Sequence, residues 1–159
     1  MKKVSGGIMY VVIRIRGTVG VRKKIEDTLN MLRLKAVNNC VILPETPDFK
    51  GMISKVKDFV TYGIIEFDIF LEMLKKRGRL IGNKRLTEEN VKELGFKSIE
   101  ELAKAIFEGK VKMKDIPSLK SVFRLTPPSK GFKSIKGHYP KGDLGFRDKE
   151  INELIERMI

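Results

Sequence analysis

The fold is determined by residues 8–63, which read IMYVVIRIRGTVGVRKKIEDTLNMLRLKAVNNCVILPETPDFKGMISKVKDFVTYG. Residues 8–16 alternate branched apolar side chains with others, and this period of two predicts a strand with a partly basic face that carries Arg14 and Arg16. After a glycine turn, apolar residues return at helical spacing, which predicts a helix over residues 21–34.

The second half of this stretch repeats the same order. Residues 40–43 are rich in branched side chains and predict a second strand. Thr46 can cap a helix and Pro47 suits its first position, so a second helix is expected there. Gly63 is expected to end that helix, with a third strand over residues 64–66. The order strand, helix, strand, helix, strand indicates an α+β sandwich with helices on one face of a small sheet.

The rest of the chain predicts a mostly helical extension. Apolar spacing and capping residues predict helices over residues 67–76, 88–94 and 98–107, and a terminal helix along Ile151, Leu154, Ile155 and Met158. Residues 78–83 are expected to form a loop, and residues 122–125 an edge strand. We therefore divide the chain into an α+β core, residues 1–66, and an extension packed on it, residues 67–159.

The segment over residues 126–149, TPPSKGFKSIKGHYPKGDLGFRDK, combines four glycines, three of the six prolines and six basic residues against two acidic ones. Since it has neither a helical nor a strand period, we predict a long internal basic loop. Phe132, Tyr139 and Phe146 either form a small satellite core or stack on unpaired bases. The composition indicates an anionic partner whose rings can stack on aromatic side chains. We expect the loop to be mobile in the free protein and ordered on RNA.

The net charge of +13 is concentrated in blocks. Residues 1–24 hold seven basic residues and no acidic one, residues 71–85 hold six against one, and residues 120–149 hold eight against two. A solvated surface rich in Lys and Glu, as in heat-stable proteins, would mix the two signs throughout. The blocks instead favour the footprint of a nucleic-acid binder.

Patterns for catalysis and cofactor binding are missing from the sequence. The lone Cys40 excludes a disulfide framework and a cysteine-based zinc site. His138, the single histidine, lies in the basic loop, where a ring that stacks or contacts a phosphate is favoured over a general base. We therefore predict no enzyme, no cofactor and no small-molecule substrate. No apolar run has the length of a signal peptide or a membrane span, which predicts a cytosolic protein without a membrane partner.

Basic residues beside turns and glycines are the candidate nucleic-acid contacts. Residues 17–20 match a P-loop or the GxxG clamp of KH domains only weakly, but their backbone N–H groups and the cations that follow can bind a phosphate. Lys50 and Lys55 can equally form the solvated face of a helix. The predicted RNA contacts are Arg14, Arg16, Arg22, Lys23, Lys24, Lys50, Lys55, Arg77, Arg79, Lys84, Arg85, Arg124, Lys130, Phe132, Lys133, Lys136, His138, Tyr139, Lys141 and Arg147.

Three segments together resemble a known family: residues 8–63, the basic block FRLTPP at residues 123–128, and the GDLG turn at residues 142–145. Over nearly its whole length the chain is similar to archaeal ribosomal proteins of the large subunit, the L-thirty family, whose eukaryotic counterpart is called L-seven. The resemblance implies a ferredoxin-like, three-stranded antiparallel sheet with two helices on one face, and an archaeal-type helical extension. The short bacterial form would correspond only to residues 8–66.

The resemblance also implies a structural role without catalysis. The expected partners are large-subunit ribosomal RNA, in the neighbourhood of the 5S RNA, and neighbouring ribosomal proteins. A chromatin-like DNA-binding protein is the alternative, and it predicts comparable or tighter binding to duplex DNA. An enzyme acting on a phosphorylated substrate is the third hypothesis, and it needs an acid or base that the sequence does not visibly supply.

Overall fold

The computed structural model describes residues 9–17, 19–44, 46–82, 84–108, 110–111, 116, 119–132, 134 and 136–159. Lys133, one of the predicted RNA contacts, lies outside the described residues. In the described part the strands are β1 Met9–Arg14, β2 Asn39–Pro44, β3 Val60–Ile64, β4 Arg79–Leu80, β5 Lys84–Arg85, β6 Val122–Arg124 and β7 Gly145–Phe146. The helices there are α1 Lys23–Met31, α2 Pro47–Lys55, α3 Phe67–Arg77, α4 Glu88–Glu93, α5 Ile99–Phe107 and α6 Ile151–Met158, the last preceded by a 3₁₀ turn at Asp148–Glu150.

Five strands form the main sheet, in the order β6-β2-β1-β3-β7. β1 lies in the middle and pairs antiparallel with both neighbours, so that Val12 faces Val41 of β2 and Tyr62 of β3. This confirms the predicted three-stranded antiparallel unit. β6 adds antiparallel to β2, and β7 adds parallel to β3. The C-terminal part of the chain therefore supplies both edges of the sheet.

Helices cover both faces of this sheet. α1 and α2 lie on one face, as predicted, where Leu29 and Ile53 pack with Val12 of β1. Because side chains alternate along a strand, Val11 and Ile13 point to the opposite face and join a core with residues of α3, α5 and α6. The extension thus forms the third layer of the molecule and completes its larger hydrophobic core.

Capping residues fix the starts of three helices, as predicted. The hydroxyl oxygens of Thr46, Thr87 and Ser98 each accept a hydrogen bond from the backbone amide three residues later, at 3.2–3.3 Å. Each bond satisfies one of the N–H groups that a helix leaves without a partner in its first turn. α1 is shorter than predicted, since it begins at Lys23 and ends at Met31.

Gly63 lies inside β3 and does not end a helix, which corrects the prediction. α2 already ends at Lys55, and the third strand begins at Val60, earlier than predicted. A Cβ at Gly63 would overlap the carbonyl oxygen of Asp148 and the side chain of Ile151. The glycine therefore permits the start of the last helix to approach the sheet closely.

The predicted loop over residues 78–83 is wrong in part, because β4 and β5 form a two-stranded antiparallel hairpin there. Gly82 has a φ of +88°, a left-handed conformation that a glycine adopts at little cost in the turn between the strands. Leu80 is buried and attaches the hairpin to the larger core. Such short strands depend on this attachment, which local sequence does not reveal.

Candidate nucleic-acid interface

The start of α1 presents the first group of cations. Arg22, Lys23 and Lys24 are all exposed. Arg22 is the N-cap residue, and its side chain makes no capping hydrogen bond. The first-turn N–H groups, the positive end of the helix dipole and the three cations together form an arrangement that can bind a phosphate. Residue 18 of the preceding turn lies outside the described residues.

Arg14 lies in the protein interior, with only 1% of its surface exposed. Its guanidinium donates hydrogen bonds to the carbonyl oxygens of Leu34, Arg16 and Gly17, at 2.8, 3.0 and 3.1 Å. Desolvation by burial lowers the pKa of Arg14, and the negative charge of Glu26 partly opposes that shift. Arginine remains protonated in proteins, so the guanidinium of Arg14 keeps its N–H donors. These hydrogen bonds hold the end of β1 to the turns around it. The prediction that Arg14 contacts RNA is corrected to an internal structural role.

The next three predicted contacts lie on the accessible surface. Arg16 is half-buried, and its guanidinium carbon lies 5.1 Å from the centre of the Phe59 ring, a cation–π distance. Lys50 and Lys55 are exposed on α2. Lys55 also borders a groove of about 410 Å³ between α1 and α2, with Met31 on the opposite side.

The β4–β5 hairpin carries a second group of cations. Lys84 and Arg85 are exposed, while Arg79 is half-buried and donates a hydrogen bond to the Gly78 carbonyl at 3.1 Å. Arg77 is half-buried in the last turn of α3, the end of a helix that favours positive charge. The hairpin therefore combines a rigid attachment with an exposed basic strand.

The basic segment, residues 126–149, runs from one edge of the sheet to the other. It leaves β6, where Arg124 is exposed, and passes the end of α6: the Thr126 amide donates to the Met158 carbonyl at 3.1 Å. Lys130 is exposed, with a φ of +70°. Phe132 is half-buried and packs against the larger core.

The second half of the basic segment folds into a hydrogen-bonded turn. The Gly142 amide donates to the His138 carbonyl at 2.8 Å, and the Tyr139 amide donates to the Leu144 carbonyl at 2.9 Å. The His138 ring nitrogen Nε2 lies 2.8 Å from a carboxylate oxygen of Asp58. The sequence does not predict this contact, because the two residues are distant in the chain. Lys136 and Lys141 are exposed around this turn.

Arg147 is buried, with 5% of its side chain exposed. Its guanidinium bonds to a carboxylate oxygen and the carbonyl oxygen of Asp143, both at 2.9 Å, and its Nε donates to the Thr61 hydroxyl at 3.0 Å. The same guanidinium lies 5.1 Å from the centre of the Tyr139 ring. The predicted RNA contact at Arg147 is therefore corrected: this residue fixes β7 to β3. The expectation that the segment contains no regular element is also wrong, because it includes β7.

The three rings of the basic segment have different environments. Phe132 packs on the core and Tyr139 lies beside Arg147, whereas Phe146 is 46% exposed. Phe146 lies beside Tyr62, with 5.3 Å between the ring centres. Sequence reasoning missed this pairing, because only the register between β3 and β7 brings the two rings together.

The described part of the chain shows neither a metal site nor a membrane span. Its His, Cys, Asp and Glu side chains include no group of three or more that could hold a metal ion. No helix among the described residues combines the length and the apolar character that crossing a membrane requires.

The exposed cations are spread over the start of α1, the hairpin and the basic segment. The basic segment by itself connects opposite edges of the sheet. A surface of this kind suits a large polyanion better than a small ligand. The fold and the surface together define a small α+β protein with exposed cations on several of its elements.

Comparison with known proteins identifies the family. The family model described as ribosomal protein L30p/L7e matches residues 10–60. Proteins named large ribosomal subunit protein uL30 are similar over the rest as well: that of Archaeoglobus fulgidus is 53% identical over 151 residues, covering 94% of this chain and 99% of the relative. That of Nanoarchaeum equitans is 51% identical over 154 residues, covering 95% and 99%. The chain belongs to the L30p/L7e family, which is a family of ribosomal proteins and not of enzymes.

Proposed function

We propose that the chain is a structural constituent of the large ribosomal subunit that binds and stabilises folded large-subunit ribosomal RNA. On this proposal it acts in the cytoplasm, on the ribosome, close to the 5S RNA and to neighbouring ribosomal proteins. The relatives named large ribosomal subunit protein align with 94–95% of this chain. This similarity supports the assignment to the large subunit.

The distribution of exposed cations carries the RNA-binding part of the proposal. Without the buried Arg14 and Arg147, the proposed contacts are Arg16, Arg22, Lys23, Lys24, Lys50, Lys55, Arg77, Arg79, Lys84, Arg85, Arg124, Lys130, Phe132, Lys133, Lys136, His138, Tyr139 and Lys141. Lys133 stays a prediction from sequence, since it lies outside the described residues. Cations on separate elements of one fold can bind phosphates that belong to different RNA helices, and this would hold those helices together.

The salt dependence of binding to large-subunit ribosomal RNA fragments tests the proposal. If six to ten phosphates are neutralised, the affinity falls roughly 10³–10⁵-fold between 50 and 200 mM salt. Duplex DNA of equal length is the control, and it is expected to bind more weakly. A shallow salt dependence on the RNA, or equal binding to the duplex DNA, contradicts the proposal.

Sedimentation of a cell lysate through a sucrose gradient tests the assignment to the subunit. The protein is expected in the large-subunit peak and is expected to leave it when high salt strips proteins from RNA. A protein found only in the soluble fractions at low salt would contradict the assignment.

A further inference from the structure

A row of three aromatic rings crosses one face of the sheet at its β7 edge. Tyr10 of β1 and Tyr62 of β3 lie 6.1 Å apart between ring centres, edge to face at 82°. Tyr62 and Phe146 of β7 lie 5.3 Å apart with a tilt of 47°. Tyr10 and Tyr62 are half-buried, and Phe146 is 46% exposed. We call these three residues the aromatic row.

The exposure of Phe146 is not that of an isolated surface side chain. Single apolar residues are common on protein surfaces and need no explanation. Phe146 instead forms the solvent-exposed end of a row that begins with Tyr10 and Tyr62. The row lies on the face of the sheet that carries α1 and α2. Its own contribution to the core is small, because the inward positions of this segment are taken by the buried Leu144 and Arg147.

The position of Phe146 is held rigidly. Arg147, the next residue, is tied to Thr61 of β3 and to Asp143 by buried hydrogen bonds. The Thr61 hydroxyl in turn donates to the Gly145 carbonyl at 3.0 Å. A flat ring presented by a fixed strand loses little conformational entropy when a second ring stacks on it.

The charges of the surrounding segment favour an anionic ligand. Lys136, Lys141 and Lys149 are exposed near Phe146 in the chain, and the basic segment as a whole holds six basic residues against two acidic ones. The exposed carboxylates of Glu150 and Asp58 adjoin this segment and only partly offset its charge. Aromatic side chains on a sheet, flanked by cations, are a general device for binding unpaired nucleotides, whose bases stack while the cations neutralise phosphates. A protein partner without an acidic surface would gain little from the lysines.

We propose that the aromatic row is a stacking site for an unpaired RNA base, with Phe146 in direct contact. The site would recognise a looped-out or single-stranded nucleotide and not a paired helix, because paired bases do not expose their faces. This inference rests on the proposed function and adds a second kind of contact to it. Phosphate contacts give affinity that depends on salt, whereas stacking gives affinity that depends on an accessible base.

A tryptophan at position 146 provides a direct reporter, because the chain has no other Trp. Single-stranded oligouridylate is expected to quench the fluorescence of Phe146→Trp, and duplex RNA of equal length is expected to leave it nearly unchanged. Ile81→Trp, at the exposed tip of the hairpin, is the matched control and should not discriminate between the two. Equal quenching by single-stranded and duplex RNA at position 146 would overturn the inference.

Affinity measurements with Phe146→Leu complete the test, since leucine keeps the apolar contact with Tyr62 and removes the ring. The affinity for large-subunit RNA fragments should fall about 5- to 150-fold, the range that corresponds to about 1–3 kcal/mol per stacked base. The salt slope should stay unchanged, and Phe146→Tyr should restore binding. Val37→Ala, which alters an exposed apolar side chain outside the proposed contacts, serves as the control for a surface substitution.

The outcomes separate the two proposals. If the wild-type protein fails to bind the RNA fragments at all, the proposed function fails. If the wild type binds and Phe146→Leu binds equally well, only the stacking site is refuted. Loss of subunit assembly with unchanged RNA affinity would show that the aromatic row contacts a protein, and would also refute the stacking site.

Discussion

Arg14 illustrates, at the scale of one residue, how a cationic side chain on a basic protein can serve the interior. Alternation along β1 marks Arg14 as a member of one face, but the sequence does not show what covers that face. The covering group is the turn around Leu34, whose carbonyl oxygen accepts a hydrogen bond from the guanidinium. A face that sequence analysis interprets as an RNA surface is therefore closed by other parts of the same chain.

Replacing Arg14 with Met should destabilise the fold without changing RNA contacts. The substitution leaves carbonyl oxygens without their donor, and each unsatisfied buried polar group costs about 1–3 kcal/mol. Urea unfolding measures the loss. In the control Arg22→Met, the free energy of unfolding should change by less than about 0.5 kcal/mol, because the side chain is exposed. The RNA salt slope should fall for Arg22→Met and not for Arg14→Met; the reverse would restore Arg14 as a contact.

Substitution by alanine should have opposite effects on stability at Gly63 and at Gly51. A methyl group at Gly63 would overlap backbone and side-chain atoms of the segment that begins α6, so Gly63→Ala should destabilise by about 1–3 kcal/mol or more. Gly51 lies within α2 with open space at its Cβ position, so Gly51→Ala should stabilise by about 0.5–1 kcal/mol. Unfolding curves of the two variants are compared with the wild type. Equal effects at both positions would contradict the close approach at Gly63.

At the scale of elements, the sequence predicts the start of a helix correctly where that start depends on hydrogen bonds between neighbouring residues. The caps at Thr46, Thr87 and Ser98 lie within three residues of the amides they satisfy, and the three helices begin where predicted. The hairpin and β7 have only two residues per strand. The hairpin strands pair locally, Arg79 with Arg85, whereas β7 pairs with the distant β3, Gly145 with Thr61. Two residues are too few to show the alternation of a strand, so the sequence predicts loops at both places.

The buried pair Asp143–Arg147 should control the order of the basic segment. Asp143→Ala leaves the Arg147 charge buried without its partner, which costs about 3–5 kcal/mol. Trypsin is expected to cleave slowly after Lys141 in the wild type, because the surrounding turn is hydrogen-bonded, and rapidly in the variant. Asp58→Asn is the control: it removes an exposed contact with His138, and such surface pairs contribute about 0–1 kcal/mol. Slow cleavage of the wild type differs from the mobile free loop that the sequence predicts. Rapid cleavage of the free wild-type protein would contradict the ordered turn and support the sequence-based prediction.

The two exposed cations of β5, Lys84 and Arg85, should contribute phosphate contacts without contributing stability. Lys84→Gln and Arg85→Gln together should lower the slope of log affinity against log salt by about 1.4–1.8, since each lost phosphate contact removes about 0.7–0.9. Both side chains are exposed, so unfolding should be unaffected. Lys92→Gln, an exposed substitution on α4 outside the proposed contacts, should leave the slope unchanged. An equal change for Lys92→Gln would show that the hairpin acts only through net charge.

At the scale of the whole molecule, the division at residue 66 separates elements but not cores. The sequence predicts an α+β unit followed by a helical extension because each has its own periodicity, and this division stays a prediction. The sequence does not show that the larger core takes side chains from both, such as Val11 and Cys40 on one side and Phe123 and Leu154 on the other. Packing between distant segments leaves no local pattern in the sequence. We therefore propose that the extension completes the fold of the first unit and is more than an added RNA-binding arm.

Labelling of Cys40 tests this proposal, because the chain has no other cysteine. In the full chain Cys40 is fully buried, lies 3.9 Å from the Met73 sulfur, and burial raises the pKa of its thiol. The reactive thiolate is therefore scarce, and a thiol reagent at pH 8 should react only as the protein unfolds. A fragment of residues 1–66 lacks Met73 and Phe123, so its Cys40 should react at a rate close to that of the urea-unfolded full chain. If the fragment protects Cys40 as well as the full chain does, the first unit forms its core alone.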